Sequence, residues 1–92
     1  MKERRSKAHI SVDILRLIHK KNGMAKPTHI LYGANLSHIR LKKYLDYLIS
    51  MGFIEKTNEK RQVFFKITQK GHDFLREFKK VEELSEAFGI PI

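Results

Sequence analysis

Ile10, Ile14, Leu17 and Ile18 recur at spacings that put them on one stripe of a helix. The pattern predicts a first helix from residue 6 or 7 to about 21, stopped at Asn22-Gly23, where glycine can take a left-handed cap. Residues 1–5 hold few apolar groups and read as a flexible basic arm. Residues 24–26 should be extended, because the residue before Pro27 is driven out of the helical region. Thr28 is expected to cap a short second helix whose apolar contacts are Ile30, Leu31 and Ala34. Asn35 suits the left-handed residue that ends it, and Leu36 plugs the turn. Ser37 then caps a third helix from 38 to about 51, with Leu41, Tyr44, Leu45 and Leu48 facing the core. The opposite face of that helix holds Ile39, Lys43, Asp46 and Ser50, with Arg40, Lys42 and Tyr47 on its shoulders.

After Gly52 the period changes. FIEKT and QVFFKI have the composition of two strands, and TNEKR reads as the polar connection between them. Val63, Phe65 and Ile67 share one strand face, while Gln62, Phe64 and Lys66 share the other. Thr68 caps a last helix running to about residue 88, which Gly89, Ile90 and Pro91 terminate. The order helix, short strand, helix, helix, hairpin, helix is that of a winged helix. The expected class is therefore mainly α with a small β-hairpin (α+β). It is one domain, with a winged-helix body at 1–67 and a long C-terminal helix at 68–92.

Composition sharpens this. At 92 residues and 41% hydrophobic, the chain has enough for one compact core with little to spare. It has no cysteine, so disulfides and thiolate metal sites are excluded. No apolar run approaches the roughly 18 residues of a membrane span, and the charged start lacks the apolar stretch of a secretion signal. A soluble protein of the cytoplasm is expected. The net charge of +9 is unevenly spread. Residues 1–26 carry +6, 27–66 carry +4, and 67–92 carry −1. A cationic body suits phosphate, and solubility alone would not segregate the charge in this way.

The break at Ala34-Asn35-Leu36 gives the chemistry a direction. A helix-turn-helix offers its second helix, amino-terminal end first, to base edges in the major groove of double-stranded DNA. Here that end is SHIRLKK. Arg40 can present two donors to guanine, Lys42 and Lys43 suit phosphates, and Ile39 would meet a thymine methyl. Thr28, His29, Ser37 and His38 border the same end. Lys60 and Arg61 at the hairpin tip can enter the minor groove or touch phosphates.

These residues resemble the small archaeal winged helix-turn-helix proteins typified by the ten-kilodalton chromatin-associated DNA-binding proteins of Sulfolobus. The likeness covers about residues 6–80. It is carried by Thr28 and Ile30 with Tyr32-Gly33-Ala34-Asn35-Leu36-Ser37, by Lys43-Tyr44-Leu45, by Gly52-Phe53-Ile54-Glu55, and by Phe65-Lys66-Ile67-Thr68-Gln69-Lys70-Gly71. The resemblance implies a homodimer paired antiparallel through the last helix, and DNA binding through helix three and the wing. By position it nominates Ser37, His38, Arg40, Lys42 and Lys43, with Lys60 and Arg61 in the wing. Gly33 departs from a longer, often basic residue, and His38 from a common tyrosine.

The last helix points to self-association on its own terms. Phe74, Phe78, Val81 and Phe88 follow heptad-like steps, with Leu84 beside them and Ser85 in the missing slot. Lys79 and Lys80 can face Glu82, Glu83 and Glu86 across an antiparallel seam. Phe74 and Leu75, in the near half, should instead fold onto the body. Five histidines show no ligand spacing, so no metal is expected. Neither a phosphate-cradling loop nor a nucleophile with its base is present, so no enzyme activity, cofactor or small-molecule ligand is expected. The reading is a homodimeric, nucleoid-associated DNA-binding protein, either a transcription regulator or an architectural chromatin protein. A winged helix that docks a protein through helix three or Phe64 is the alternative from another class, and RNA binding is a third.

Overall fold

The computed structural model describes residues 5–90. Its elements run α1 (Lys7–Lys20), β1 (Met24–Ala25), α2 (Pro27–Ala34), α3 (His38–Ser50), β2 (Ile54–Glu59), β3 (Gln62–Ile67) and α4 (Gln69–Phe88). Ser6 caps α1 by accepting from the His9 amide. Ile10, Ile14, Leu15 and Ile18 of α1 are fully buried. Leu17, placed on the same stripe by its spacing, is only partly buried, and it packs where α2 comes closest. Gly33 makes that approach possible, since a Cβ there would lie 2.0 Å from Leu17 Cδ1. The glycine that departs from the family pattern is thus the seat of a helix–helix contact.

α2 does not start as expected. Lys26 is its N-cap and gives no side-chain cap bond, and Pro27 takes the first helical position. Proline is preorganised for that position and has no amide to satisfy, so the helix begins two residues early and Thr28 lies exposed inside its first turn. Asn35 ends the helix at φ 54°, ψ 55°. Leu36 is buried behind it, and Ser37 Oγ accepts from the Arg40 amide at 3.2 Å. Leu41, Leu45 and Leu48 carry α3 onto the core, with Tyr44 partly buried beside them.

The three strands form one antiparallel sheet in the order β1-β3-β2. The ladder between β2 and β3 runs from Ile54 opposite Ile67 out to Glu59 opposite Gln62. The expected five-residue connection is therefore mostly strand, and only Lys60 and Arg61 turn the chain. Both have positive φ, 50° and 65°.

Thr68 locks the sheet to α4. Its hydroxyl donates to the Gly52 carbonyl at 2.6 Å and accepts from the Gly71 amide at 3.1 Å. Gly71 is buried where a Cβ would stand 2.4 Å from the Phe53 carbonyl oxygen. Phe74 stacks on Phe53 with ring centroids 4.9 Å apart. Phe78 meets Phe74 at 5.9 Å and the edge of His9 at 5.8 Å. Arg16 of α1 pairs with Glu82. These contacts tie more of α4 to its own body than the spacing indicates. Phe78 is partly buried against α1, and Glu82 has an ion partner within the chain.

Beyond Glu82 the helix is mostly exposed. Gly89 closes it at φ 68°, and the Ile90 amide donates to the Ser85 carbonyl. The expected role of Pro91 lies outside the described residues.

Candidate nucleic-acid interface

The turn through Asn35, Leu36 and Ser37 leaves the amino-terminal end of α3 outermost. Ser37 and His38 are exposed, and Ile39 is 84% open to solvent. Lys42 and Lys43, one turn on, are exposed on the same side. Together His38, Ile39, Lys42, Lys43 and Asp46 line one shallow depression on the outer face of α3. Lys42 Nζ bonds Asp46 at 3.0 Å, with both side chains largely in solvent. Such a pair contributes about 0.3–0.5 kcal/mol and exchanges readily for another anion. Arg40 is partly buried on the shoulder of α3. Of these two neighbours the aliphatic side chain is therefore the more exposed, where the residue types alone favour the guanidinium.

Thr28 and His29 are exposed at the start of α2. Lys60 and Arg61 are exposed at the hairpin tip, in the left-handed pair of the turn.

The fold also brings together residues that no local pattern would join. Between α3 and the hairpin runs a groove of about 480 Å³, with Leu41, Leu45, Ile49, Val63 and Phe65 along it and His38, Lys42 and Lys56 among its polar members. Lys56 is not among the expected contacts; its place two residues after buried Ile54 on the same strand face is the available signal. Tyr32, expected simply as part of helix two, is 81% exposed at the end of α2. Phe64, expected on the outer face of the hairpin, is partly buried there.

The basic arm is corrected in part. Arg5 bonds Asp13 at 2.9 Å and the Ala34 carbonyl at 2.7 Å, which fastens the chain just ahead of α1 to the end of α2. Residues 1–4 lie outside the described residues. Lys7 Nζ sits 4.2 Å above the Tyr47 ring.

His72, isolated in the sequence, lies edge-on to His19 with ring centroids 5.2 Å apart. Among the described residues, no group of three or more His, Asp or Glu is placed to hold a metal ion. No helix of the described residues is long and apolar enough to cross a membrane.

At the far end, Val81, Leu84, Phe88 and Ile90 are exposed and border one apolar depression of about 270 Å³. Of the five residues expected at a dimer seam, Val81, Leu84 and Phe88 are in this patch. Phe74 and Phe78 lie against the chain's own body.

Comparison with known proteins agrees with this architecture. A winged helix-turn-helix family model matches residues 4–86. An uncharacterized protein of Methanocaldococcus jannaschii is 41% identical over 68 residues, covering 74% of this chain and 64% of its own length. The chain thus spans somewhat under two thirds of that relative. Among solved structures, Sso10a-2, a DNA-binding protein from Sulfolobus solfataricus, is 28% identical with a TM-score of 0.71, covering 94% of this chain and 90% of its own. A MarR family transcriptional regulator from Silicibacter pomeroyi has the same fold at 16% identity, with a TM-score of 0.71 over 87% of this chain and 56% of its own. The likeness to the archaeal Sulfolobus proteins read from the residues agrees with these matches, and the chain belongs to the winged helix-turn-helix family.

Proposed function

We propose that two copies of this chain bind double-stranded DNA. The amino-terminal turn of α3 enters the major groove, and the Lys60-Arg61 tip rests on the flanking backbone or in the minor groove. The observation that carries this reading is the outer face of α3. It sets Lys42 and Lys43 around the helix end whose free amides and dipole favour phosphate. Sso10a-2, similar over nearly the full length of both chains, is a DNA-binding protein, which supports the same use here. His38 lines that depression, and we assign Ser37, Arg40, Thr28 and His29 to the same contact.

The dimer rests on Val81, Leu84 and Phe88, exposed at steps of three and four along the end of α4. That spacing presents one stripe to a second helix. The end of α4 then pairs two bodies, each with the near half of its own α4 packed against it, and a protein so bound resides on the nucleoid.

The test is a titration of duplex pools, random and selected, at several salt concentrations. Lys43→Ala should weaken binding to every sequence and lower the salt slope by about 0.9 for each phosphate it no longer neutralises. An unchanged slope removes α3 from the interface. The same titration separates two roles, because a regulator prefers its site by about 10³ or more, and a packaging protein has almost no preference.

A further inference from the structure

Ile39 differs from the exposed apolar groups Val81, Leu84, Phe88 and Ile90. Those at the end of α4 lie together, where a second copy can cover them. The depression that Ile39 lines is otherwise made of His38, Lys42, Lys43 and Asp46, and its side chain is 84% exposed on the first turn of the helix. Helix formation does not ask for it there, since a β-branched residue is a mediocre helix former. The core does not use it either, because Leu41, Leu45 and Leu48 supply that face. An aliphatic group held out beside Lys42, Lys43 and Asp46 suits a partner that is apolar in one small spot and anionic around it.

We infer that Ile39 reads thymine, packing on the 5-methyl group in the major groove. It is a specificity-determining residue of the interface proposed above, and the assignment rests on that interface. The thymine methyl is the apolar feature of the major-groove edges, which otherwise present hydrogen-bond donors and acceptors. Ile39 can satisfy none of those, so a guanine or cytosine edge under it loses water and gains no bond, which turns the same side chain against G·C. Lys42 and Lys43 lie three and four residues on, within reach of the flanking phosphates that fix the helix in register. Partial burial of Arg40 leaves Ile39 as the crest of the helix end.

The test uses the full chain and a duplex pool enriched by rounds of binding selection. The pool is amplified once with thymidine and once with deoxyuridine in its place. Uracil removes the methyl and leaves every hydrogen-bonding edge, including the minor groove met by the wing. The parent should prefer the thymine pool by about fourfold per protomer, the factor that one buried methyl-sized group gives. Ile39→Ala should bind both pools alike, near the parent's affinity for the uracil pool, and Ile39→Val should keep part of the preference. Parent binding that is equal on the two pools overturns the assignment while leaving the DNA interface standing, as does a preference that survives in Ile39→Ala. A parent that binds neither pool overturns the interface and this assignment with it.

Discussion

Lys60 and Arg61 turn the hairpin between Glu59 and Gln62, and both sit at positive φ, 50° and 65°. A two-residue turn with both centres left-handed is the geometry in which Asn-Gly is favoured, because a Cβ there crowds the next carbonyl. Two long cations in these positions cost the fold on the order of 1–2 kcal/mol each. Replacing them with the favoured pair, Lys60→Asn with Arg61→Gly, relieves most of that. Glycine returns about 0.5–1 kcal/mol through its freer unfolded chain, so a net gain of about 1 kcal/mol is expected. For a domain of this size that raises Tm by roughly 4–8 °C.

Binding should move the other way. Each phosphate that the tip ceases to neutralise lowers the salt slope by about 0.9, so the stabilised variant should bind duplex more weakly, and the deficit should shrink as salt rises. Thermal melts at one fixed protein concentration, paired with duplex titrations at several salt concentrations, read both quantities. A Tm that stays or falls refutes the strain argument. A higher Tm with parental affinity and slope refutes the wing's role, because the strained cations would then add nothing to binding.

Gly71→Ala should destabilise by about 1–3 kcal/mol in a denaturant melt, because its Cβ would strike the Phe53 carbonyl oxygen and Ile67 Cγ1. Gly33→Ala should cost less, because the atom in its way is the movable end of Leu17. Leu84→Glu with Phe88→Glu should leave the melt of the body intact and reduce the sedimentation mass at micromolar concentration to one chain; a variant that still sediments as two chains removes the end of α4 from the seam.

The parts of this fold that are legible in the sequence are those fixed by neighbours in the chain. Asn35, Leu36 and Ser37 name the turn because a left-handed cap, a buried plug and an N-cap each need one side-chain type at one position. Thr68 and Gly89 mark α4 for the same reason. Thr28 misleads because two local signals compete, and the fixed φ of Pro27 outweighs the hydroxyl next to it. The polarity of TNEKR makes the hairpin look too short, yet pairing with β3 carries β2 out to Glu59 whatever the side chains face. Phe78 against His9, Glu82 with Arg16, and His19 against His72 join residues more than fifty positions apart. No periodicity contains such contacts. At the candidate interface the segment and its charges can be read from the residues, but their tilt cannot. Arg40 and Ile39 are adjacent, and only the packing of α3 shows which is outermost.

Exposed apolar groups stand both at the first turn of α3 and at the end of α4. Under the dimer proposal they are energetically linked. Val81, Leu84, Phe88 and Ile90 are the exposed apolar groups that the end of α4 offers a partner, and fully burying each is worth about 1.5–3 kcal/mol. Association itself costs an amount of the same order, about 4–15 kcal/mol, so α4 alone gives a pair of modest affinity. A duplex held by both protomers supplies the remainder, because the second reading helix then binds from within the complex at a high effective concentration. The coupling is reciprocal: a duplex with two sites tightens the dimer by the factor by which the dimer tightens the duplex. A chain with only a partial apolar seam and a strained cationic wing tip gives up stability of its own at both places, and one bound duplex can offset both.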